Sequence, residues 1–257
     1  MGAQETPLAG RHVLITGGGT GIGAAMARAL AAQGAALSLA GRRKAPLDAM
    51  AAELPKTTAV VADITKEFDC AAMADSARTA HGPIDIVIAN AGMAASAPAG
   101  KIDLKHWQQA IDVNLTGAFL TVQAALADVT RAPGGRIIFI ASTAGLKGYP
   151  YVAAYVAAKH GVVGLMRALS IELAGKGVTV NAVCPGYTDT PLLDAAADKI
   201  AAKTGRNADD SRAALAQDNA HGRLITPDEV AQTVCWLCSP GASSVNGQAI
   251  AVTGGPV

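Results

Sequence analysis

The sequence predicts a doubly wound α/β fold: one sheet of seven parallel strands with helices on both faces. Three observations predict it. Seven short apolar runs recur along the 257 residues: "HVLITG", "ALSLAG", "TAVVAD", "IDIVIANAG", "GRIIFIAS", "VTVNAVCPG" and "QAIAVTGG". They are rich in β-branched residues and most end in glycine, aspartate, asparagine or serine, as strands buried on both faces do. Alanine-rich helical stretches at 21–33, 44–53, 66–80, 103–130, 152–175 and 227–238 alternate with them, the pattern of a parallel sheet. No linker, repeat or shift of composition divides the chain, so residues 1–257 are expected to form a single domain.

The first strand runs into "TGGGTGIG", residues 16–23, and a helix follows at once. Such a turn lets the backbone approach a pyrophosphate while the helix offers free N–H groups and its positive dipole end. The spacing of Gly17, Gly21 and Gly23 is G-x-x-x-G-x-G, and by itself it is equally an ordinary strand–helix turn. The second strand ends "LAGRRK": Gly41 stands where a ribose-binding acid would sit, followed by Arg42 and Arg43. An arginine there accommodates a 2′-phosphate, which favours NADP(H) with Arg42 as the main contact; two solvated arginines at a helix start is the plainer alternative. Asp63 closes the third strand in "VVADIT", where it can accept a hydrogen bond from adenine, N-cap the next helix, or both.

Within "YVAAYVAAKH", residues 151–160, helical spacing would put Tyr151, Tyr155 and Lys159 on one stripe. Segment 187–222 is polar, charged and slow to reach another strand, as a substrate lid would be. Cys235 and Cys238 spell C-x-x-C inside an apolar helical pattern, which reads as core packing. With Cys70 and Cys184 they make four cysteines, consistent with a reducing, cytoplasmic setting. The five histidines show no metal-ligand spacing, and His160 reads as structural. A net charge of +1 offers no field for nucleic acid. The apolar runs look interrupted before the ~18 residues a membrane span needs. The first ten residues lack a secretory pattern, and Gly2 to Thr6 fit a loose myristoylation motif without a polybasic neighbour.

Taken in order, "TGGGTGIG", "NAG" at 90–92, "VNLTG" at 113–117, the serine closing "IIFIAS", Tyr155-x-x-x-Lys159 and "PG" at 185–186 resemble the short-chain dehydrogenase/reductase family, from about Arg11 to the terminal "VTGG". The resemblance implies a Rossmann domain and a catalytic tetrad of Asn114, Ser142, Tyr155 and Lys159. It implies cofactor contacts at Gly17, Thr20, Gly21, Ile22, Arg42, Asp63, Ile64, Asn90, Ala91, Gly92, Val113, Tyr155, Lys159, Pro185, Gly186, Thr188 and Thr190. In "PGYTDT", the backbone of Thr188 and the hydroxyl of Thr190 would hold the nicotinamide carboxamide. Ala89 replaces a common asparagine, which puts only a local contact in doubt.

Reducing a ketone needs a hydride on carbon and a proton on oxygen. A tyrosine, with its ordinary pKa of about 10, can donate that proton. Lys159 one turn on is expected to lower the phenol's pKa and bind the nicotinamide ribose. Ser142 would polarise the substrate oxygen, and Asn114 would hold a water linking Lys159 to solvent. Tyr149, Tyr155 and Tyr187, with Ser142, are the candidate substrate contacts, and Tyr151 a wall of the cleft mouth. Loops at 93–100, 143–151 and 187–222 bring together Met93, Leu146, Tyr149, Tyr151, Tyr187, Leu192 and Leu193. This apolar set suggests a hydrophobic ketone or 3-oxoacyl thioester, reduced with NADPH. Lys203, Arg206, Arg212 and Arg223 could meet a phosphate on such a tail, or form a solvated face with the aspartates among them. Alternatives are an NAD-dependent secondary-alcohol or 3-hydroxyacyl dehydrogenase and a non-enzymatic dinucleotide sensor. Relatives of this kind pair long helices, here near 103–130 and 152–175, into a homotetramer.

Overall fold

A computed structural model describes residues 6–205 and 207–257; Gly2 of the myristoylation motif and Arg206 lie outside the described residues. The strands are β1 (His12–Thr16), β2 (Ala36–Gly41), β3 (Thr57–Val61), β4 (Ile86–Ala89), β5 (Arg136–Ile140), β6 (Thr179–Pro185) and β7 (Ala249–Val252). They form one sheet in the order β3-β2-β1-β4-β5-β6-β7, and every pairing is parallel. The helices are α1 (Gly21–Ala32), α2 (Lys44–Glu53), α3 (Glu67–His81), α4 (Leu104–Ile111), α5 (Gly117–Val129), α6 (Ala153–Leu173), α7 (Pro191–Thr204), α8 (Ala208–Gln217) and α9 (Pro227–Cys238). The seven strands and the six helical stretches read from the sequence all occur, with ends shifted by up to three residues.

Successive side chains on a strand face opposite ways, so a strand covered on both faces must be apolar throughout. Val13 and Ile15 of β1 pack with α1 and α9 in one core; Leu14, between them, packs with α3, α5 and α6 in the other. Phe139 of β5 is fully buried on that second face, and burying a side chain of this size contributes about 1.5–3 kcal/mol. Chain order reverses between β1 and β4. In open parallel sheets, the carboxyl ends of the strands at such a switch point flank the ligand crevice.

Two elements depart from expectation. The run Leu104–Val129 is, by length and composition alone, apolar enough to cross a membrane (mean hydropathy 1.3). Here it is broken by a π-helical turn at Asp112–Thr116, and its α5 segment packs through Val122, Ala125 and Val129 into the sheet's second core. Segment 187–222 is no irregular loop: it carries α7 and α8. Thr190 caps α7, accepting from the Leu193 N–H at 3.4 Å, and Pro191 stands at the first helical position, where its missing N–H has no partner to lose.

Candidate active site

All the residues assigned to cofactor, catalysis and substrate line one cleft of about 1090 Å³ at the carboxyl ends of the strands. Single-ligand pockets run to about 300–1,000 Å³, so there is room for a large cofactor and a substrate together.

The glycine turn forms one end. Gly17 has φ +69°, a left-handed conformation that favours glycine, and a Cβ on Gly23 would overlap the Gly17 carbonyl. Asn90 holds the turn by donating from Nδ2 to the Thr16 carbonyl at 2.8 Å, while the Asn90 N–H donates to Thr16 Oγ1 at 3.1 Å. Arg42 and Arg43 both line the cleft. Arg43 was not assigned from sequence, yet its Nη2 donates to Thr20 Oγ1 at 3.3 Å, which carries its guanidinium over the glycine turn. Asp63 is not the N-cap of α3; that position is Lys66, whose side chain makes no cap bond. The Asp63 Oδ1 instead accepts from the Thr65 N–H at 3.1 Å and hydroxyl at 2.8 Å. Burial opposes its charge, but the Thr65 donors and the field of Arg42 hold its pKa below the ordinary value.

At the other end, Ser142, Tyr155, Lys159 and Asn114 come together. Ser142 follows β5, and its Oγ accepts from the Ala144 N–H at 3.1 Å, leaving the hydroxyl proton available to the cleft. Lys159 is 5% exposed and donates from Nζ to the Ile140 carbonyl at 2.8 Å. Its Nζ lies 5.7 Å from the centre of the Tyr155 ring. The expected lowering of the phenol by this ammonium is not what the geometry gives. Burial pushes the Tyr155 pKa up, opposed by the facing Ser142 hydroxyl, and burial pushes Lys159 down to about 8. Desolvation, which favours both neutral forms, is the largest influence on each group.

Asn114 occupies the π-helical turn, an irregularity frequent at functional sites. Its Nδ2 donates to the Ala110 carbonyl at 3.0 Å and its Oδ1 accepts from the Met93 N–H at 3.1 Å. A Cβ on Gly92 would stand 2.9 Å from that Oδ1 and 3.7 Å from Lys159 Nζ, so the three groups share one small space.

Tyr151 leaves the proposed stripe. Its φ is +66° and α6 starts two residues later, so it is not one turn below Tyr155; it lies exposed at the cleft mouth. Tyr149 donates to Thr143 Oγ1 at 2.8 Å and meets Tyr187 edge to face at 6.2 Å. Burial and the nearby Asp218 push Tyr187 up to about 12, so it is a neutral wall. Leu146 does not line the cleft and packs against the sheet core instead. His160 is exposed, with Nδ1 2.9 Å from the Val156 carbonyl. The four cysteines are free and buried, and among the described residues no group of three His, Cys, Asp or Glu could hold a metal.

Of the basic residues read from 187–222, Arg212 pairs with Asp189 at 2.8 Å and with Asp194, and Arg223 pairs with Glu229 at 2.6 Å. The cleft is instead faced by Lys203 and by Lys199 one turn earlier, which the sequence reading passed over. It also passed over Asn219. This buried amide accepts from the Tyr187 N–H at 3.0 Å and donates to the Tyr187 carbonyl at 2.8 Å and the Arg223 carbonyl at 2.7 Å. A Cβ on Gly186 would overlap its Oδ1. No local motif marks Asn219, because Tyr187, to which it makes two of its three bonds, stands 32 residues away.

A family model described as short chain dehydrogenase matches residues 11–201. Cis-4-hydroxycyclohexanecarboxylate dehydrogenase of Sinomonas cyclohexanicum is 38% identical over 249 residues, which cover 95% of this chain and 96% of that one. Among solved structures, a variant of actinorhodin polyketide ketoreductase with NADPH superposes with a TM-score of 0.91, at 32% identity, over 95% of this chain and 96% of that one. The 3-ketoacyl-(acyl-carrier-protein) reductase from Brucella melitensis complexed with NADH superposes with a TM-score of 0.86, at 32% identity, over 96% of this chain and 98% of that one.

Proposed function

The chain belongs to the short-chain dehydrogenase family and is a nicotinamide-dependent oxidoreductase acting on hydroxyl or carbonyl groups, and on that premise we propose that it reduces a hydrophobic ketone or 3-oxoacyl thioester with NADPH. One observation carries the reading: Ser142, Tyr155, Lys159 and Asn114 converge on the same cleft as the glycine turn and two arginines. The cofactor fits the groups present. The turn is too tight for a Cβ at Gly23, and Arg42 and Arg43 offer the donors a 2′-phosphate needs.

When bound, the nicotinamide supplies the hydride. The protein manages the oxygen. Ser142 donates its free hydroxyl proton toward the substrate oxygen and polarises the carbonyl. Tyr155, kept neutral by burial, gives up its proton to that oxygen as charge develops there. Lys159 would hold the ribose hydroxyls, and its Nζ, 5.7 Å from the Tyr155 ring centre, stands beside the phenol as it becomes anionic. Asn114, tied at both ends of its amide, keeps Met93 and the π-helical turn in place behind Lys159. Thr188 and Thr190 would hold the carboxamide, and Pro185, Gly186, Val113 and Ala91, which line the same cleft, would supply the surrounding wall. The α7–α8 segment acts as a lid, its Leu192 and Leu193 lining the cleft together with Met93, Tyr149 and Tyr187. Lys199 and Lys203 would meet a phosphate or carboxylate on the substrate tail.

A second reading, oxidation of a hydroxy acid, draws support from the same two lysines and from the hydroxycarboxylate named for the Sinomonas relative. A screen of ketones, 3-oxoacyl thioesters and hydroxy acids with both cofactors separates the readings by direction. In Tyr155→Phe, turnover is expected to fall by about 10²–10⁴-fold, with cofactor binding by fluorescence titration retained. Undiminished turnover would refute the assignment.

We further propose a homotetramer in the cytoplasm. Exposed Leu104, Trp107, Phe119 and Ile171 on α4, α5 and α6 are large apolar groups suited to a subunit contact. Light scattering at micromolar concentration tests it, and a monomer would overturn it.

A further inference from the structure

At the opposite edge of the sheet from the cleft, the strands begin with an unusual concentration of positive charge. Arg11 immediately precedes β1 and Arg136 opens β5; both line a second cavity, of about 290 Å³, with Gly134, Cys238, Pro240 and Ser243. Arg136 is 5% exposed. Both guanidinium groups hang on neutral carbonyls of one turn. Arg11 donates to Pro133 at 2.5 Å and Gly134 at 2.9 Å; Arg136 donates to Gly134 at 2.8 Å and Gly135 at 3.1 Å.

Those bonds leave donors unused. Among the described residues, the buried side-chain polar atoms with no hydrogen-bond partner are Arg11 Nε, Arg136 Nε and Thr179 Oγ1. Arg11 and Arg136 both line this cavity, whereas Thr179 of β6, the register partner of Arg136, does not. Buried charges are paired as a rule, and Arg136, buried with its Nε unpartnered, marks the place where a counter-charge is missing. The nearest acid is Asp85, whose Oδ1 lies 3.7 Å from Arg11 Nε and whose Oδ2 accepts the His12 N–H at 2.8 Å. Among the described residues no carboxylate pairs with Arg136.

We propose that this cavity is a binding site for a small oxyanion, a phosphate or carboxylate group held between the Arg11 and Arg136 guanidinium groups. The planar fork of arginine matches such oxygens two at a time, and the Ser243 hydroxyl lines the same cavity. One anion there offsets the repulsion between two adjacent guanidiniums, which together with burial depresses the Arg136 pKa. The occupant would fasten the start of β5 to the end of α9. Catalysis at the other edge needs neither arginine, so this inference stands apart from the proposed reaction.

Thermal unfolding of the full chain tests it, with inorganic phosphate titrated against chloride at matched ionic strength. A ligand of the folded state raises Tm saturably, on the order of 5 °C at a hundredfold excess over Kd for a chain of this size. The rise is expected in the wild type and in Arg42→Ala/Arg43→Ala, which removes the competing phosphate site of the main cleft. In that Arg42→Ala/Arg43→Ala background it is expected to vanish when Arg136→Met is added and to weaken when Arg11→Gln is added. Acetate in place of phosphate distinguishes the sources: an equal saturable rise marks a carboxylate site, and no rise marks a phosphoryl site. If Arg136→Met does not fold, broadening of the phosphate ³¹P resonance by Arg42→Ala/Arg43→Ala, reduced when Arg11→Gln is added, gives the same answer, and broadening that Arg11→Gln leaves unchanged overturns the proposal. No saturable rise in wild type, or a rise that Arg42→Ala/Arg43→Ala abolishes, overturns the proposal.

Discussion

Replacing Lys159 with methionine should stabilise the protein while abolishing its activity. The side chain is 5% exposed, and burial pushes its pKa from 10.5 to about 8. At 1.36 kcal/mol per pH unit, that depression is about 3 kcal/mol of destabilisation while the amine stays charged. Methionine matches its length and carries no charge. The substitution also removes the Nζ bond to the Ile140 carbonyl, at 2.8 Å, and leaving that acceptor unpaired costs about 1–3 kcal/mol. The net expectation is a gain of about 1 kcal/mol, or about 2–4 °C in Tm for a chain of this size.

The gain should depend on pH in a stated direction. Below about 8 the lysine is protonated in both states, so the folded chain carries the whole burial cost. From about 8 to 10.5 the unfolded chain binds more protons than the folded one, and wild-type stability rises with pH. The advantage of Lys159→Met is therefore full near neutral pH and reverses by about 10.5, when only the lost hydrogen bond remains. Unfolding at several pH values without cofactor measures it. A variant less stable than wild type by several kcal/mol at pH 7 would show that the charged lysine is well solvated, and would refute the reasoning.

Other outcomes follow from the same geometry. Arg42→Ala and Arg43→Ala should each weaken NADPH binding by roughly tenfold or more, the weight of a hydrogen bond to a charged group, and leave NADH unaffected; equal losses for both cofactors would refute the 2′-phosphate assignment. Asn219→Ala removes three hydrogen bonds around Tyr187. It should lower stability by about 1–3 kcal/mol and raise KM for the ketone while cofactor affinity holds. Asn219→Asp, which keeps the acceptor for the Tyr187 N–H, should recover part of the KM; unchanged KM in both variants would remove Asn219 from any positioning role.

The strands and most helices were legible because their cause is local. Runs such as "GRIIFIAS" are apolar at every position, and only a strand covered on both faces needs that. The glycine turn and the Tyr155–Lys159 spacing were legible for a similar reason, since a close backbone approach and a one-turn helical offset leave their mark within a few residues. Tyr151 shows the limit. Its spacing suits a helix, but the chain enters α6 through a left-handed residue there, and periodicity carries no signal for where a helix begins when Pro150 precedes it.

What the sequence by itself determined was therefore the sheet, its order of elements and the identity of the reactive groups. Only the tertiary structure decided their balance. The Tyr155–Lys159 electrostatics turned on how much water the fold removes, which no spacing records. Which lid cations face the cleft turned on ion pairs such as Arg212 with Asp189. Asn219 and the paired guanidiniums of Arg11 and Arg136 arise from residues far apart in sequence, whose proximity exists only once the strands are side by side.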